Sequence, residues 1–391
     1  MNYRISQQAA ALSPSLTLAI DAKAKQMKAD GLDVVGFGAG EPDFDTPQHI
    51  KEAAVKALAD GFTKYTPSSG ILELRQAIAD KFKRDNGLTY KPSQIIVSCG
   101  GKHSCFNTVM ATCQAGDEVI IPSPYWLSYP EMVKLAGAKP VIVPTTDATE
   151  FKITPDQLRA AITPRTRLFV LNSPSNPTGS LYAPDELKAL GDICVERDVL
   201  ILSDEIYEKL VYDGAQHVSV ASFSPAHYAH TIVTHGFAKA YSMTGWRLGF
   251  MAAPEPVAKA VDAIQSHSTS NPTSFAQKGA VAALNGSQDH LNSWLAEYSK
   301  RRGYAHQRLS SMPGITCVNS KGAFYLFPNI SRLGLKSTEF CARLLEQEKV
   351  AAVPGIAFGA DDYVRISYAT SMVNIQKGLD RMERFARSLF K

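Results

Sequence analysis

The segments VLILSDEIYE (residues 199–208) and TIVTHGFAKAYSMTGWR (residues 231–247) each begin with a short, mostly apolar run that is followed by polar side chains. The runs, residues 199–203 and 231–235, are rich in β-branched residues and show no strict alternation of polar and apolar positions. This pattern predicts strands that are buried on both faces, as in a parallel sheet covered by helices. In such a sheet, ligands bind beyond the carboxyl ends of the strands. The two segments therefore predict both a fold class and the position of a site.

Four further runs share this short, apolar and β-branched character: IIVSC (95–99), EVIIP (118–122), PVIVP (140–144) and LFVLN (168–172). Helical patterns separate most of the six runs, and this order predicts an α/β fold with a mostly parallel sheet between helices. After residue 278 the pattern changes to long helices with little sheet. We therefore predict a large domain over residues 46–286 and a smaller α/β domain built from the two chain ends, residues 1–45 and 287–391.

Composition excludes several classes of protein. The 41 Lys and Arg against 37 Asp and Glu leave a formal net charge of +4, which gives no reason to expect a nucleic-acid partner or a polybasic membrane anchor. No apolar run is long enough to cross a bilayer, and the N-terminus lacks the apolar core of a secretory signal. The six scattered cysteines have no metal-ligand spacing, so they predict reduced thiols, no metal site and a cytoplasmic protein.

Chemically distinctive residues follow five of the six runs. They are Gly100, Gly101 and Lys102 after the first run, Trp126 after the second, Asn176 after the fourth, Asp204 and Tyr207 after the fifth, and Lys239 and Arg247 after the sixth. Each residue alone has an ordinary structural explanation, such as a glycine turn, a helix cap or a surface charge. Their shared position at one edge of the predicted sheet favours a common site instead.

Pyridoxal phosphate chemistry accounts for this set of residues. The cofactor needs a lysine for covalent attachment, an acid for its pyridine nitrogen, an anion cradle for its phosphate and a flat partner for its ring. Two glycines at a helix start suit the phosphate. A nicotinamide site is matched less well, because GFGAG (36–40) is not GxGxxG and does not open a helix. The chain has no GxxxxGK[ST] motif, which excludes a P-loop enzyme.

Eight blocks of sequence resemble those of one enzyme family in their order and spacing. They are GAGEPDFDTP (38–47), KYTPSSG (64–70), PSPYWLSYPEM (122–132), NSPSNPTG (172–179), SDEIYE (203–208), HGFAKAYSMTGWRLG (235–249), GAFY (322–325) and VRISYATS (364–371). Over nearly its whole length the chain resembles the class I, fold type I pyridoxal-phosphate-dependent aminotransferases, in particular the bacterial aspartate aminotransferase branch. The resemblance implies that family's fold, with residues 46–286 as the cofactor-binding domain, and pyridoxal 5′-phosphate as the cofactor.

The resemblance also implies a role for each of these residues. Lys239 would bind the cofactor covalently and move the Cα proton of the substrate, while Asp204 would pair with the pyridine nitrogen. Further cofactor contacts are implied for Gly100, Gly101, Lys102 and Arg247 at the phosphate, for Trp126 against the ring, and for Asn176 and Tyr207 at the phenolic oxygen. The implied binding residues for the substrate α-carboxylate are Arg365, Gly40, Trp126 and Asn176.

A dimer follows from the same resemblance. Tyr65, in the block KYTPSSG, is implied to reach the cofactor phosphate of a neighbouring subunit. We therefore expect a homodimer with shared active sites, and small amino acid and 2-oxo acid substrates. No metal, nucleic acid or membrane partner is expected.

The expected reaction moves an amino group between an L-amino acid, expected to be aspartate, and 2-oxoglutarate in a ping-pong cycle. Transamination of aromatic amino acids or prephenate is the alternative, and a pyridoxal-phosphate-dependent β-lyase is a remoter one. The group that binds a distal carboxylate stays open. Residues 103–110 offer only His103, and other candidates are Ser13, Ser15, Thr17 or a residue of the partner chain. We therefore expect dicarboxylate donors to be only modestly preferred over aromatic ones.

Overall fold

The computed structural model describes residues 3–13 and 16–390, apart from the side chains of residues 16–19 and 21. The β-strands are β1 (Val35–Gly36), β2 (Ile95–Ser98), β3 (Glu118–Ser123), β4 (Lys139–Pro144), β5 (Thr166–Asn172), β6 (Leu200–Asp204), β7 (Thr231–Gly236), β8 (Gly249–Ala252), β9 (Tyr325–Leu326), β10 (Val350–Ala351), β11 (Val353–Pro354) and β12 (Val364–Ser367). The α-helices are α1 (Gln7–Ala10), α2 (Leu16–Ala29), α3 (Gln48–Ala59), α4 (Leu72–Asn86), α5 (Gly101–Thr112), α6 (Ser128–Leu135), α7 (Pro155–Ala161), α8 (Pro184–Glu196), α9 (Pro225–His230), α10 (Glu255–Ser268), α11 (Ser274–Asn285), α12 (Asp289–Ser311), α13 (Ser337–Glu348) and α14 (Met372–Leu389). None of these described helices combines the length and the apolarity needed to cross a membrane.

A seven-stranded sheet lies at the centre of the fold, in the order β2-β8-β7-β6-β5-β3-β4. Six of its strands run in the same direction, and β8 is antiparallel to both of its neighbours. Adjacent residues of one strand point to opposite faces, and Ile201 and Leu202 of β6 accordingly belong to two different apolar core clusters. The sheet is therefore covered on both faces, which confirms the predicted α/β class.

All six predicted strands are present, each within two residues of its predicted bounds. The predicted burial is wrong for β4, because this strand lies at the edge of the sheet and leaves Ile142 39% exposed. Strand β8 was not predicted, because its four residues begin with Gly249 and lack a β-branched run. That glycine is required where it stands, since a Cβ at Gly249 would collide with the backbone of Gly101. The glycine is needed because two backbones approach closely, and the local sequence pattern gives no sign of that approach.

A second region joins the two ends of the chain. Strand β1 pairs in parallel with β10, and β9, β11 and β12 form an antiparallel sheet. Val35 and Phe37 share one apolar core with side chains of α12, α13 and α14. Tyr207, from the segment after β6, also belongs to this core. The two-domain boundaries at residues 45/46 and 286/287 stay a prediction.

Candidate active site

Three neighbouring strands bring predicted site residues together at their carboxyl ends. Asn172, the last residue of β5, lies beside Asp204, the last residue of β6, and Asp204 lies beside Thr234 of β7. Asn176 and Lys239 follow β5 and β7 within a few residues. The parallel register therefore collects, at one edge, residues that are far apart in the chain.

Lys239 lies at the centre of this edge. Its Nζ donates a hydrogen bond to the carbonyl oxygen of Gly40 and lies 5.6 Å from the centroid of the Tyr207 ring. Burial and, next in size, the positive charge of Arg365 lower the pKa of Lys239 to about 8. A larger fraction of neutral amine is therefore present at neutral pH than in a free lysine, and covalent attachment to an aldehyde requires the neutral amine.

This lowered pKa predicts how the attachment of cofactor to the apoenzyme depends on pH. Since the neutral amine attacks, the attachment rate should rise roughly tenfold per pH unit below pH 7 and level off above about pH 8. Removing the nearby positive charge in Arg365→Gln favours the ammonium form, so the midpoint should move to higher pH. Stopped-flow absorbance measures the rate. A midpoint near 10.5, the ordinary lysine value, would contradict the prediction.

Asp204 is a buried carboxylate with three donors around it. Tyr129 Oη donates to Asp204 Oδ2 at 2.6 Å, the Cys105 thiol lies 3.8 Å from the same oxygen, and the Ile206 N–H donates to Oδ1 at 3.3 Å. Burial raises the pKa of Asp204, and the hydrogen bonds from Tyr129 and Ile206 oppose that rise. A carboxylate with so little access to water is stabilised by a cationic partner, and a protonated pyridine nitrogen is one.

The loop between β2 and α5 forms an anion cradle. Gly100 has a φ of 94°, and a Cβ at this position would lie 2.6 Å from the Arg247 guanidinium. Gly101 begins α5, whose first N–H groups carry partial positive charge. Arg247 itself has a φ of 53°, an uncommon conformation for a residue with a side chain, and donates to the Thr244 carbonyl oxygen at 2.9 Å. Backbone donors and a guanidinium thus converge where only a glycine fits.

Trp126 and Lys102 meet beside this cradle. Lys102 Nζ lies 4.9 Å from the centroid of the Trp126 indole, and Trp126 packs edge-on against Tyr129 with centroids 5.2 Å apart. Both residues line an open cavity, together with Ser13, His103, Glu131 and Arg247. The tryptophan therefore contacts the residue that holds Asp204, and the lysine extends along the wall of the cavity.

Arg365 lies in β12 and is buried, with 4% of its surface exposed. Its Nη1 donates to Asn176 Oδ1 at 2.9 Å, and its Nη2 donates to the carbonyl oxygen of Gly38 at 2.8 Å. Because both nitrogens already have partners in the protein, the plane of the guanidinium is held in one orientation. This is the arrangement expected of an arginine that binds a carboxylate through two parallel hydrogen bonds.

Tyr325 contacts this site, although the sequence assigned it no role. Its Oη lies 2.9 Å from Tyr207 Oη, and the Arg365 guanidinium carbon lies 4.5 Å from the centroid of its ring. The only signal in the sequence was its place at the end of the block GAFY. That block marks a position without indicating what it contacts.

Tyr65 is a predicted site residue that is not brought together with the others within the single chain. It is 90% exposed, and among the described contacts none joins it to the other predicted residues. The implied role of Tyr65 concerns a second subunit, so its place in a site stays a prediction.

The residues present fit pyridoxal 5′-phosphate. The cradle at Gly100 would be filled by a Cβ, the lysine has a lowered pKa, and the buried Asp204 carboxylate is placed with the lysine at one sheet edge. Fold and site together define an α/β enzyme whose chemistry depends on a lysine beside an anion cradle.

Comparison with known proteins agrees with this class. The protein-family model of aminotransferase class I and II matches residues 32–382 of this chain. The aspartate aminotransferase of Geobacillus stearothermophilus is 52% identical over 98% of both chains. The aspartate/prephenate aminotransferase of Nitrosomonas europaea is 49% identical over 97% of this chain and 98% of the relative. The solved structure of the aspartate aminotransferase from Rhizobium meliloti superimposes with a TM-score of 0.96 at 41% identity, covering 99% of this chain and 100% of that one.

The chain belongs to the aminotransferase class I and II family. It is a pyridoxal-phosphate-dependent enzyme that acts on amino acid and 2-oxo acid substrates. This confirms the predicted cofactor and enzyme class. The roles of the individual residues stay predictions.

Proposed function

We propose that the enzyme transfers the amino group of L-aspartate to 2-oxoglutarate, and that the residues named above, apart from Lys102, perform the roles that the family resemblance implies. The observation that carries this proposal is the buried Arg365, held by Asn176 and Gly38 close to a lysine whose pKa is about 8. A fixed guanidinium suits the α-carboxylate of any amino acid, and the proposed preference for aspartate rests on the relatives named as aspartate aminotransferases.

The chain's own residues divide the work between binding and proton transfer. Arg365 binds the α-carboxylate and thereby directs the Cα–H bond of the substrate toward Lys239. The cofactor, when bound, supplies an electron sink that stabilises negative charge at Cα. Lys239 Nζ takes the proton from Cα, and its lowered pKa matches this task because the amine is neutral in a useful fraction near pH 7. Asp204 would hold the pyridine nitrogen in its protonated form, through an ion pair in a buried site.

Lys102 is the residue we propose for the distal carboxylate of aspartate. Among the described cationic side chains that line the cavity, Arg247 is committed to the Gly100 loop, and burial lowers the pKa of His103, which keeps its ring neutral at pH 7. Lys134 neutralises Glu131 at 2.9 Å. Of the other candidates, Ser13 lines the cavity, whereas Ser15 and the Thr17 side chain lie outside the described residues. With Lys102 in this role, we expect a stronger preference for dicarboxylates than the sequence predicted.

The variant Lys102→Gln tests this assignment. A charge-assisted hydrogen bond contributes about 1.5–3 kcal/mol, so kcat/KM for aspartate should fall roughly 10- to 100-fold. For phenylalanine, kcat/KM should change by less than about threefold, because its side chain carries no charge to pair. Steady-state rates with 2-oxoglutarate as acceptor provide the measurement, and His103→Gln is the control. Equal losses for both donors would instead place Lys102 at the cofactor phosphate, as the family resemblance implies.

Transamination of aromatic substrates or prephenate is the second candidate. Phe106 and Trp126 line the same cavity, and flat apolar walls suit a ring. The Nitrosomonas relative is named for both aspartate and prephenate. Rates across a panel of donors that includes aspartate, phenylalanine and arogenate separate these preferences.

A half-reaction decides between transamination and a lyase. With aspartate and no acceptor, a transaminase converts the cofactor to its amine form and releases an equimolar amount of oxo acid. A β-lyase returns the cofactor to its aldehyde form after each turnover. Absorbance spectra and product analysis on the same sample distinguish the two, and recovery of the aldehyde form would refute the proposed function.

The homodimer is a further part of this proposal. Several apolar residues on both sides of the Tyr65 loop are exposed in the isolated chain, namely Val55 and Leu58 of α3 and Leu72 of α4, with exposures of 64%, 45% and 61%. Val55 and Leu58 are three residues apart on α3 and therefore lie on the same face of the helix, and an exposed apolar face is typical of interfaces. The six cysteines are all free, which supports the proposed cytoplasmic location.

Mixed dimers test whether Tyr65 acts across the interface. Tyr65→Phe should weaken cofactor retention roughly tenfold, through the loss of a hydrogen bond to phosphate. In a hybrid with a Lys239→Ala subunit, one site should combine Lys239 with an intact Tyr65 and release cofactor at the wild-type rate. Cofactor release from separately tagged hybrids gives the measurement. A fully active monomer, or hybrids whose working site releases cofactor as fast as Tyr65→Phe, would contradict the shared site.

A further inference from the structure

Tyr325 connects two parts of the site that perform different tasks. Its ring lies against Arg365, and its hydroxyl lies against the hydroxyl of Tyr207. We propose that Tyr325 is a positioning residue with two separable functions: its ring holds the carboxylate-binding guanidinium, and its hydroxyl orients the Tyr207 hydroxyl toward the cofactor. The inference rests on the proposed function, because it uses the predicted roles of Arg365 and Tyr207.

The strand register explains why the ring meets the guanidinium. Tyr325 of β9 lies opposite Ser367 of β12 in an antiparallel pair. Arg365 is two residues from Ser367 and therefore projects from the same face of the sheet. Diagonal neighbours on one face are within reach of aromatic and long side chains. The contact between Tyr325 and Arg365 is thus built into the pairing of two short strands.

The ring face is a strong partner for this arginine. The guanidinium carbon lies 4.5 Å from the Tyr325 centroid and 5.1 Å from the Phe358 centroid, and both rings are fully buried. A cation over an aromatic ring is stabilised most where water is excluded. The rings supplement the two hydrogen bonds that Arg365 donates to Asn176 and Gly38. Loss of the Tyr325 ring should therefore loosen the guanidinium and weaken the binding of any carboxylate.

The hydroxyl pair carries the second function. The two Oη atoms are 2.9 Å apart and belong to buried side chains, so one hydroxyl must donate to the other. If Tyr325 donates, the proton of Tyr207 is free to point at the phenolic oxygen of the cofactor, and the donated bond polarises that O–H. Without the Tyr325 hydroxyl, Tyr207 loses the donor that fixes this direction.

Two substitutions separate the functions. Tyr325→Phe keeps the ring face and removes only the hydroxyl, whereas Tyr325→Leu removes both. A hydrogen bond to the phenolic oxygen stabilises its negative charge and makes the neighbouring nitrogen of the lysine linkage less basic. In Tyr325→Phe the pH midpoint of the holoenzyme's visible absorbance should therefore rise by about half a unit. The affinity for maleate, an unreactive dicarboxylate, should change by less than about twofold.

Tyr325→Leu should show the same rise of the absorbance midpoint, and in addition bind maleate roughly tenfold more weakly. Calorimetry on the holoenzyme measures the affinity. Tyr182→Phe is the matched control, since it also removes one buried tyrosine hydroxyl, which accepts a hydrogen bond from the Ile153 N–H at 3.0 Å. This control should leave both the absorbance midpoint and the maleate affinity unchanged.

A double variant tests the link to Tyr207. If the Tyr325 hydroxyl acts through Tyr207, then Tyr325→Phe should shift the midpoint no further in a Tyr207→Phe background. Additive shifts, an unchanged midpoint in Tyr325→Phe, or equal maleate affinity in the Phe and Leu variants would each overturn the proposal. A wild-type enzyme that releases no oxo acid from aspartate would refute the proposed function instead, because maleate binding and the absorbance midpoint do not depend on the identity of the amino donor.

Discussion

Replacing Lys239 with alanine is expected to reduce kcat by roughly four orders of magnitude or more, the largest effect of any single change considered. The substitution removes both the covalent attachment and the group that moves the Cα proton, and general acid–base catalysis alone contributes about 10²- to 10⁴-fold. Burial and the charge of Arg365 lower the pKa of Lys239 to about 8, and a partly neutral amine suits both roles. Single-turnover rates with aspartate measure the loss.

Cofactor binding should survive in the same variant. The cradle at Gly100 and Arg247 does not involve Lys239, so the phosphate retains its donors. In the wild type, borohydride reduction followed by peptide mapping should place the label on Lys239. The control is Lys188→Ala, which removes an exposed lysine paired with Asp192 on α8 and should behave as wild type. A label on another lysine, or turnover within tenfold of wild type in Lys239→Ala, would refute the assignment.

Replacing Arg365 with glutamine is expected to lower kcat/KM roughly 100- to 1000-fold for every amino donor alike. Truncating one partner of a buried, hydrogen-bonded charge pair costs about 2–5 kcal/mol, and the α-carboxylate would lose both of its parallel hydrogen bonds. The effect should not depend on the donor, because all α-amino acids share this carboxylate. Steady-state rates with aspartate and phenylalanine as donors test this uniformity.

A conservative substitution of Arg365 should lower kcat/KM by a smaller factor than glutamine does. Arg365→Lys keeps the charge and loses the planar fork, so kcat/KM should fall by about one to two orders of magnitude. Arg308→Gln is the control, because it removes an arginine that is paired with Asp380 and Glu383. A loss confined to aspartate would move Arg365 from the α-carboxylate to the distal carboxylate and contradict its assignment.

Much of the fold could be predicted because its strands carry a local signature. A strand buried on both faces must be apolar along its length, and five of the six predicted runs are largely buried strands of the central sheet. The sixth, β4, is apolar in sequence but lies at the edge of the sheet and is partly exposed. Strand β8 could not be predicted, since its first residue is a glycine required by the backbone of Gly101, more than a hundred residues earlier in the chain. A local sequence pattern cannot predict a strand whose residues are required by a neighbour that is far away in the chain.

For the candidate site, too, some features could be predicted from the sequence and others could not. The positions after the strands and the residue types found there already indicated a lysine-dependent cofactor enzyme, because parallel strands end at one edge. No local pattern indicated that Tyr325 would bond Tyr207, or that Lys102 would lie over Trp126 rather than only beside the phosphate loop.

By itself, then, the sequence determined the α/β class, the edge at which the site lies and the chemical types assembled there, because these depend on periodicity and on the direction of the strands. Only the tertiary structure decided which side chains contact one another. Arg365 and Asn176 are 189 residues apart, and Tyr207 and Tyr325 are 118 apart. Such contacts arise when separate elements pack and the register of β9 with β12 is set. The hydrogen-bond partner of a buried polar group is whatever that packing brings within reach.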